Sequence, residues 1–271
     1  LYRQRIDNRS ATMGVLETFR LDGHKALVTG GSRGLGRAVA QALAEAGADL
    51  VLVGRDAAAL RQAAEGVRPL GRSVGTVIAD VGDSAAAEAM CTRVLVENGP
   101  IDILVNNVGG RRENIATEAM PLETWRRLVD LNLTSAFVCT KHIGGAMLSR
   151  RSGRVINIAS ICGQIATRGI FGRHYEAAKA AIVGFTRAVA ADWAPHGVTV
   201  NAIAPGGFMT DANRRWFREK PAFQKEFEIQ VPMGRLGEPE ELGPLAVYLA
   251  SDASRYMTGA LLVIDGGYTL W

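Results

Sequence analysis

The sequence is short of cysteine, of aromatic side chains, of long apolar runs and of excess charge. Its three cysteines, Cys91, Cys139 and Cys162, fall in no CxxC or metal-type spacing. An odd, unpatterned count excludes a disulfide framework and reads as reduced thiols in a cytoplasmic protein. The four histidines are scattered, none spaced with an acid or a cysteine as a metal site requires, so no metal is expected. No apolar run approaches the ~18–20 residues that span a bilayer, and the charged start lacks the apolar stretch of a signal peptide. Aromatics make up 6% of the 271 residues against 48% hydrophobic residues overall, which favours Ala- and Gly-rich helices packed on a sheet over an aromatic-rich sandwich. The net charge is +4, and half of it lies in residues 1–12, where Arg3, Arg5 and Arg9 face Asp7. What remains is too nearly neutral for a nucleic-acid partner. Residues 1–20 read as an N-terminal extension, with Met13-Gly14 a candidate native start, and residues 21–271 as one domain.

What is present is an alternation. Strands are expected at 25–29, 49–53, 73–79, 101–105, 154–158, 199–203 and 261–264, with helices near 35–46, 56–67, 84–98, 122–149, 173–194 and 239–250. Most of the strands are almost continuously apolar, as strands covered on both faces must be. The expected fold is therefore α/β, a doubly wound Rossmann-type parallel sheet of about seven strands with right-handed crossovers. Residues 207–232 break the rhythm with Phe208, Trp216, Phe217, Phe223 and Phe227 among many charges. Such an insertion reads either as a lid or as a surface excursion packing its aromatics on the body.

The first strand runs into Gly30-Gly31-Ser32-Arg33-Gly34-Leu35-Gly36, where a helix opens. A helix N-terminus offers unpaired N–H groups and partial positive charge to a pyrophosphate, and glycine lets the phosphate approach. The spacing is TGxxxGxG, and with it residues 21–267 resemble the short-chain dehydrogenase/reductase family. The resemblance implies a dinucleotide-binding catalytic domain. In an NAD enzyme an acid at the end of the second strand binds the adenosine ribose. Here that position is Gly54, followed by Arg55, and Arg33 faces the same pocket from the glycine loop. Two guanidiniums without that carboxylate suit a 2′-phosphate, so NADP is expected rather than NAD. Asp56 competes as a ribose ligand but is more simply the N-cap of the next helix. The resemblance further implies an adenine contact at Asp80-Val81 and a cofactor-lining turn at Asn107 and Gly109, within Asn106-Asn107-Val108-Gly109. There Val108 replaces the usual Ala. Pro205-Gly206 to Thr210 is similar to the family's PGxxxT turn, which implies that Thr210 holds the nicotinamide carboxamide.

Tyr175 and Lys179 form the YxxxK signature; positions i and i+4 share a helix face, so phenol and ammonium can point into one cleft. A phenol with pKa ~10 needs about 4 kcal/mol of differential phenolate stabilisation to titrate near 7. Lys179 and an oxidised nicotinamide are expected to supply much of it. Ser160, fifteen positions earlier at the end of strand five, is similar to the family's catalytic serine, which would stabilise charge on the carbonyl oxygen. Asn132 matches the asparagine that holds a water linking the lysine to solvent. His174 lies about 100° round the helix from Tyr175 and reads as facing elsewhere or touching substrate. Cys162 reads as a buried inert thiol or as a group near the cleft.

Arg111 and Arg112 follow the Asn107–Gly109 turn, and Arg214, Arg215 and Arg218 populate the insertion. Converging, they would draw an anionic substrate; dispersed, they are solvated surface arginines. Within the family the chain is most similar to gluconate 5-dehydrogenases and related sugar or polyol reductases, with 3-oxoacyl-carrier-protein reductases sharing the same motifs. The expected activity is interconversion of a ketone and a secondary alcohol. A non-catalytic cofactor sensor is the alternative of another class, and it would be expected to lose Tyr175 or Lys179. An extended-branch epimerase is opposed by chain length and by TGxxxGxG. The helices at 122–149 and 173–194 resemble those that pair in family tetramers, so a homotetramer is expected, although their alanines serve contact with the sheet equally well.

Overall fold

In the second strand, Leu50, Val51, Leu52 and Val53 are each at most 1% exposed. Leu50 and Leu52 pack into one apolar cluster and Val51 and Val53 into another, on the opposite face. Alternate side chains of a strand point to opposite faces, so a run apolar at every position fits only a sheet sandwiched between two helical layers. The structure, a computed structural model, describes residues 14–111, 113–167 and 172–271. Seven strands form one parallel sheet: β1 (Lys25–Thr29), β2 (Asp49–Gly54), β3 (Val74–Ile78), β4 (Ile103–Asn106), β5 (Gly153–Ile158), β6 (Val198–Pro205) and β7 (Leu261–Ile264). Their order is β3-β2-β1-β4-β5-β6-β7. Helices α1 (Gly34–Glu45), α2 (Ala57–Val67) and α10 (Gly243–Ala250) cover one face. The other face carries α3 (Ser84–Asn98), α5 (Ser135–Cys139), α6 (Gly145–Arg150) and α7 (His174–Trp193).

The expected helix over 122–149 is present but not uniform. It begins as α4 (Leu122–Val129) and is widened by π turns at Asp130–Thr134 and Thr140–Gly144 on either side of α5. At the first widening the Asn132 side chain donates to the Leu128 carbonyl at 2.9 Å, entering the backbone ladder as inserted side chains do at such turns. The insertion at 207–232 holds two short helices, α8 (Asp211–Glu219) and α9 (Pro221–Ile229). Its aromatics pack inward. Phe208 and Phe217 are buried, the Trp216 ring meets Phe223 at 4.5 Å, and Phe227 stacks on Tyr268 at 5.0 Å. Residues 1–13 and Arg112 lie outside the described residues. No helix among those described is long and apolar enough to cross a membrane.

Candidate active site

The strand order reverses between β1 and β4, and the loops that follow these strands diverge to leave a crevice at their C-terminal ends. A cavity of about 650 Å3 occupies it. The glycine loop closes one wall. Gly30 has φ +66°, a left-handed conformation that favours glycine. Gly36 is required for closeness: a Cβ there would lie 2.3 Å from the Gly30 carbonyl oxygen and 2.4 Å from Asn107 Nδ2. Asn107 secures the loop by donating to the carbonyls of Thr29 at 3.0 Å and Gly30 at 3.3 Å. Gly30, Ser32, Arg33, Leu35 and Gly36 all line the cavity. Gly34 does not. It faces a neighbouring groove with Arg37 and Arg214, and its φ of +55° shows that it serves the turn.

At the far end of the crevice stand the two expected guanidiniums. Arg33 Nη2 is 2.6 Å from Asp56 Oδ2, and Arg55 Nη1 is 3.1 Å from Asp80 Oδ2. Asp56 is indeed the cap of α2, accepting from the N–H groups of Ala58 and Ala59 at 3.0 and 3.1 Å. These contacts hold its carboxyl below the usual carboxylate range. Asp80 and Val81 line the cavity between this end and its middle, together with Asn107, Gly109, Pro205, Gly206 and Thr210. The Thr210 hydroxyl oxygen caps α8 by accepting from Asn213 N–H at 3.3 Å, which leaves its proton to donate.

Ser160, Tyr175 and Lys179 line the other end. The Ser160 oxygen accepts from the Cys162 N–H at 3.1 Å, and the Ser160 side chain acts to lower the Tyr175 pKa. Lys179 Nζ donates to the Ile158 carbonyl at 2.7 Å and lies 5.8 Å from the Tyr175 ring centroid. In the protein alone, burial outweighs the nearby charges at both groups. Burial pushes Tyr175 up to about 12 and, by disfavouring the ammonium, brings Lys179 down to about 8. Asn132 is buried one layer behind. Its amide is committed to both backbone groups of Gly110, at 2.8 and 3.0 Å, and to Leu128. Gly109 separates it from the lysine: a Cβ there would sit 2.8 Å from Asn132 Oδ1 and 3.0 Å from Lys179 Nζ.

Of the arginines that would converge on the mouth or disperse over the surface, none of Arg111, Arg214, Arg215 and Arg218 lines the cavity. Arg111 pairs with Glu176 at 2.7 Å, and Arg214 pairs with Glu238. Cys162 is half-buried, 3.8 Å from Arg111 Nη2 and 3.3 Å from Thr167 Oγ1. His174 is wholly buried and bonds the Arg111 carbonyl, away from the cavity lining. Sequence reasoning missed a buried polar chain beneath the site. Asn106 donates to Thr140 and to Asn157, and Asn157 donates to Thr186, at 3.0, 2.9 and 2.9 Å. Two asparagines inside otherwise apolar strands were the available signal, since a buried amide demands partners.

The enoyl-(acyl carrier protein) reductase family model matches residues 30–269. Galactitol 2-dehydrogenase (L-tagatose-forming) of Cereibacter sphaeroides is 41% identical over 254 residues, 93% of this chain and 98% of that protein. A short-chain type dehydrogenase/reductase from Mycobacterium marinum superposes with TM-score 0.88 at 38% identity, covering 94% of this chain and 99% of that one. A 3-oxoacyl (acyl-carrier-protein) reductase from Agrobacterium tumefaciens C58, solved with NADP bound, also gives 0.88, at 32% identity over 94% and 98% of the two chains. With the glycine cradle and the Tyr175–Lys179 pair walling one crevice, the chain belongs to the short-chain dehydrogenase/reductase family and is an oxidoreductase.

Proposed function

We propose that this protein interconverts a ketone and a secondary alcohol on a sugar-derived substrate, with NADP(H) as cofactor. One arrangement supports the reading: Ser160, Tyr175 and Lys179 wall the same cavity as the Gly30–Gly36 cradle. The cradle fits a dinucleotide, because Gly30 and Gly36 line the cavity without side chains at the N-terminus of α1. Gly30, Ser32, Leu35 and Gly36 would hold the pyrophosphate, Asp80 and Val81 the adenine, and Asn107, Gly109, Pro205, Gly206 and Thr210 the nicotinamide half. When bound, the cofactor supplies or accepts the hydride. Tyr175 donates its proton to the oxygen of the ketone during reduction and recovers it during oxidation. Ser160, whose oxygen already accepts from Cys162 N–H, turns its own proton toward the same oxygen. Lys179 keeps a positive charge close to the phenol below about pH 8, and Asn132 braces the Gly109–Gly110 turn that packs on it. Residues 207–232 act as a lid over this end, from which Phe208 and Asn213 reach the cavity lining.

Preference for NADP over NAD rests on Gly54, Arg33 and Arg55. Asp56, the carboxylate that follows Arg55, is already engaged by two N–H groups and by Arg33. Arg55→Asp is expected to weaken NADPH binding by about 100-fold, roughly the 3 kcal/mol of a charge-assisted phosphate contact. NADH binding should change by less than about threefold. Fluorescence titration of both nucleotides checks this, and equal losses would remove the assignment.

Among sugar-derived substrates, a neutral polyol or ketose fits better than a sugar acid, because Arg111 and Arg214 are answered by Glu176 and Glu238. Initial rates with NADP+ on galactitol, and with NADPH on L-tagatose, 5-ketogluconate and an acetoacetyl thioester, test this. The neutral pair should show the highest kcat/KM. A fastest rate on the thioester would support a 3-oxoacyl reductase instead, and tight NADPH binding without turnover would indicate a cofactor sensor. We read the protein as cytoplasmic and as a homotetramer. Ala177, Ala180, Gly184, Ala188 and Ala191 form an exposed small-residue face on α7, beside Phe137, which is 47% exposed.

A further inference from the structure

Tyr175 is bracketed in the chain by His174 and Glu176, and both of these residues hold the same partner. His174 bonds the Arg111 carbonyl through Nε2 at 2.8 Å; a carbonyl only accepts, so that nitrogen carries the proton. Glu176 takes the Arg111 guanidinium with both oxygens, at 2.9 and 2.7 Å. The two side chains are only 17% and 12% exposed, so the pair is sheltered from solvent. The guanidinium also donates to the Gly172 carbonyl at 3.1 Å, and its Cζ stands 5.0 Å from the centre of the Tyr175 ring. Consecutive helical residues project about 100° apart. Contact with three in a row therefore requires Arg111 to wrap the first turn of α7 rather than lean on one face of it.

We infer that Arg111 is a positioning residue for Tyr175: it clamps the first turn of α7 to the turn after β4 and holds a cation against the phenol ring. The inference rests on the reading of Tyr175 as the acid/base group. A bidentate carboxylate pair fixes a guanidinium plane in both position and angle. A ring carried on the residue between the two anchors inherits that constraint. The cation also acts electrostatically, because an aromatic face and a nascent phenolate are both stabilised by positive charge nearby.

Among the described residues, the groups that face the phenol are few. Lys179 approaches from the same helix, Ser160 and Cys162 from the loop after β5, Arg111 from the turn after β4, and Glu176 from α7 with Arg173 paired to it at 2.9 Å. Arg111 favours the phenolate and Glu176 opposes it. A purely structural clamp is broken alike from either end, whereas the two charges pull the phenol in opposite directions.

The test is the pH profile of kcat/KM for alcohol oxidation by full-length Arg111→Met, Glu176→Gln and Arg111→Lys, using the best substrate of the panel above. The midpoint should rise on the order of half a pH unit in Arg111→Met and fall by a similar amount in Glu176→Gln. Arg111→Lys keeps the charge and loses the paired fork, so its kcat should fall several-fold with the midpoint unmoved. Equal losses of activity in Arg111→Met and Glu176→Gln with unmoved midpoints would reduce Arg111 to a structural staple and overturn the inference. If Arg111→Met does not fold, Glu176→Gln against Arg111→Lys carries the comparison: a fall in the first alone supports the inference, and no shift in either overturns it. Tyr175→Phe, assayed alongside, separates the two ideas, since full turnover by that variant removes the acid/base reading itself.

Discussion

Tyr175→Phe is expected to lower ketone reduction by about 10²–10⁴-fold, the span that a positioned general acid contributes, while NADPH affinity stays within about threefold. Phe retains the ring that packs under Arg111, so the clamp on α7 should persist and the loss should fall on kcat. Steady-state kinetics with a fluorescence titration of NADPH separates the two quantities. The direction of the pH dependence follows from the protonation state each reaction needs. With Tyr175 as the proposed acid/base group, reduction uses the protonated phenol and oxidation the phenolate. Burial holds Tyr175 at about 12 in the protein alone, so the proton is present throughout the neutral range. Oxidation uses the phenolate, so its rate should climb as pH rises. It requires positive charge near the ring to bring the phenol down from 12. Lys179 supplies that charge below about 8 and loses it above. The oxidative profile of wild-type enzyme should therefore rise with pH and flatten or turn over once Lys179 deprotonates. An oxidation rate that fell steadily from pH 6 to 9 would contradict the assignment of the base.

Gly36→Ala should produce the second large effect, on both stability and cofactor binding. The added methyl would stand 2.3 Å from the Gly30 oxygen, 2.4 Å from Asn107 Nδ2 and 2.9 Å from the Gly30 carbonyl carbon. None of these is the free end of a flexible side chain. Gly30 belongs to the turn, and Asn107 is tied to Thr29 and Gly30 by two hydrogen bonds. The loop must move away from α1, which costs about 1–3 kcal/mol by the measure of overpacked cores and pulls N–H groups off the phosphate position. A thermal midpoint lowered by several degrees, roughly 2–4 °C per kcal/mol for a chain of this size, should accompany at least a tenfold loss of NADPH affinity, about 1.4 kcal/mol. Gly34→Ala makes a useful contrast. Its Cβ meets only Thr210, at 3.5 Å, so the burden there is the left-handed φ rather than a collision.

Much of this site is legible in the sequence because its parts are local. A strand, a glycine turn and a helix N-terminus follow one another within Lys25–Gly36, and Tyr175 and Lys179 share a helix face by spacing alone. Asp56 likewise announced itself as a cap from its place before an Ala-rich helix. The long helix at 122–149 was readable as a helix but not as a widened one, because the widening at Asp130–Thr134 accompanies the commitment of Asn132 to Gly110, a residue 22 positions earlier. The direction Gly34 faces was hidden for a related reason. A glycine in the loop signals a turn, but the side of the turn it faces depends on what α8 brings against it.

The sequence by itself determined the layered α/β fold, the family, the crevice and many of the residues that line it. These follow from period, spacing and backbone chemistry, which act over a few residues and survive any arrangement of the remainder. Tertiary structure alone decided how charge is distributed in the site. Arg111 read either as a substrate-facing cation or as a solvated surface arginine, and it is bound to Glu176, 65 positions later in the chain. Tyr175 is held at about 12 by burial in the protein alone, which spacing to Lys179 could not show. Electrostatic energy depends on which charges meet and how much water is excluded between them. Both are settled only when β4, β5 and α7 come together.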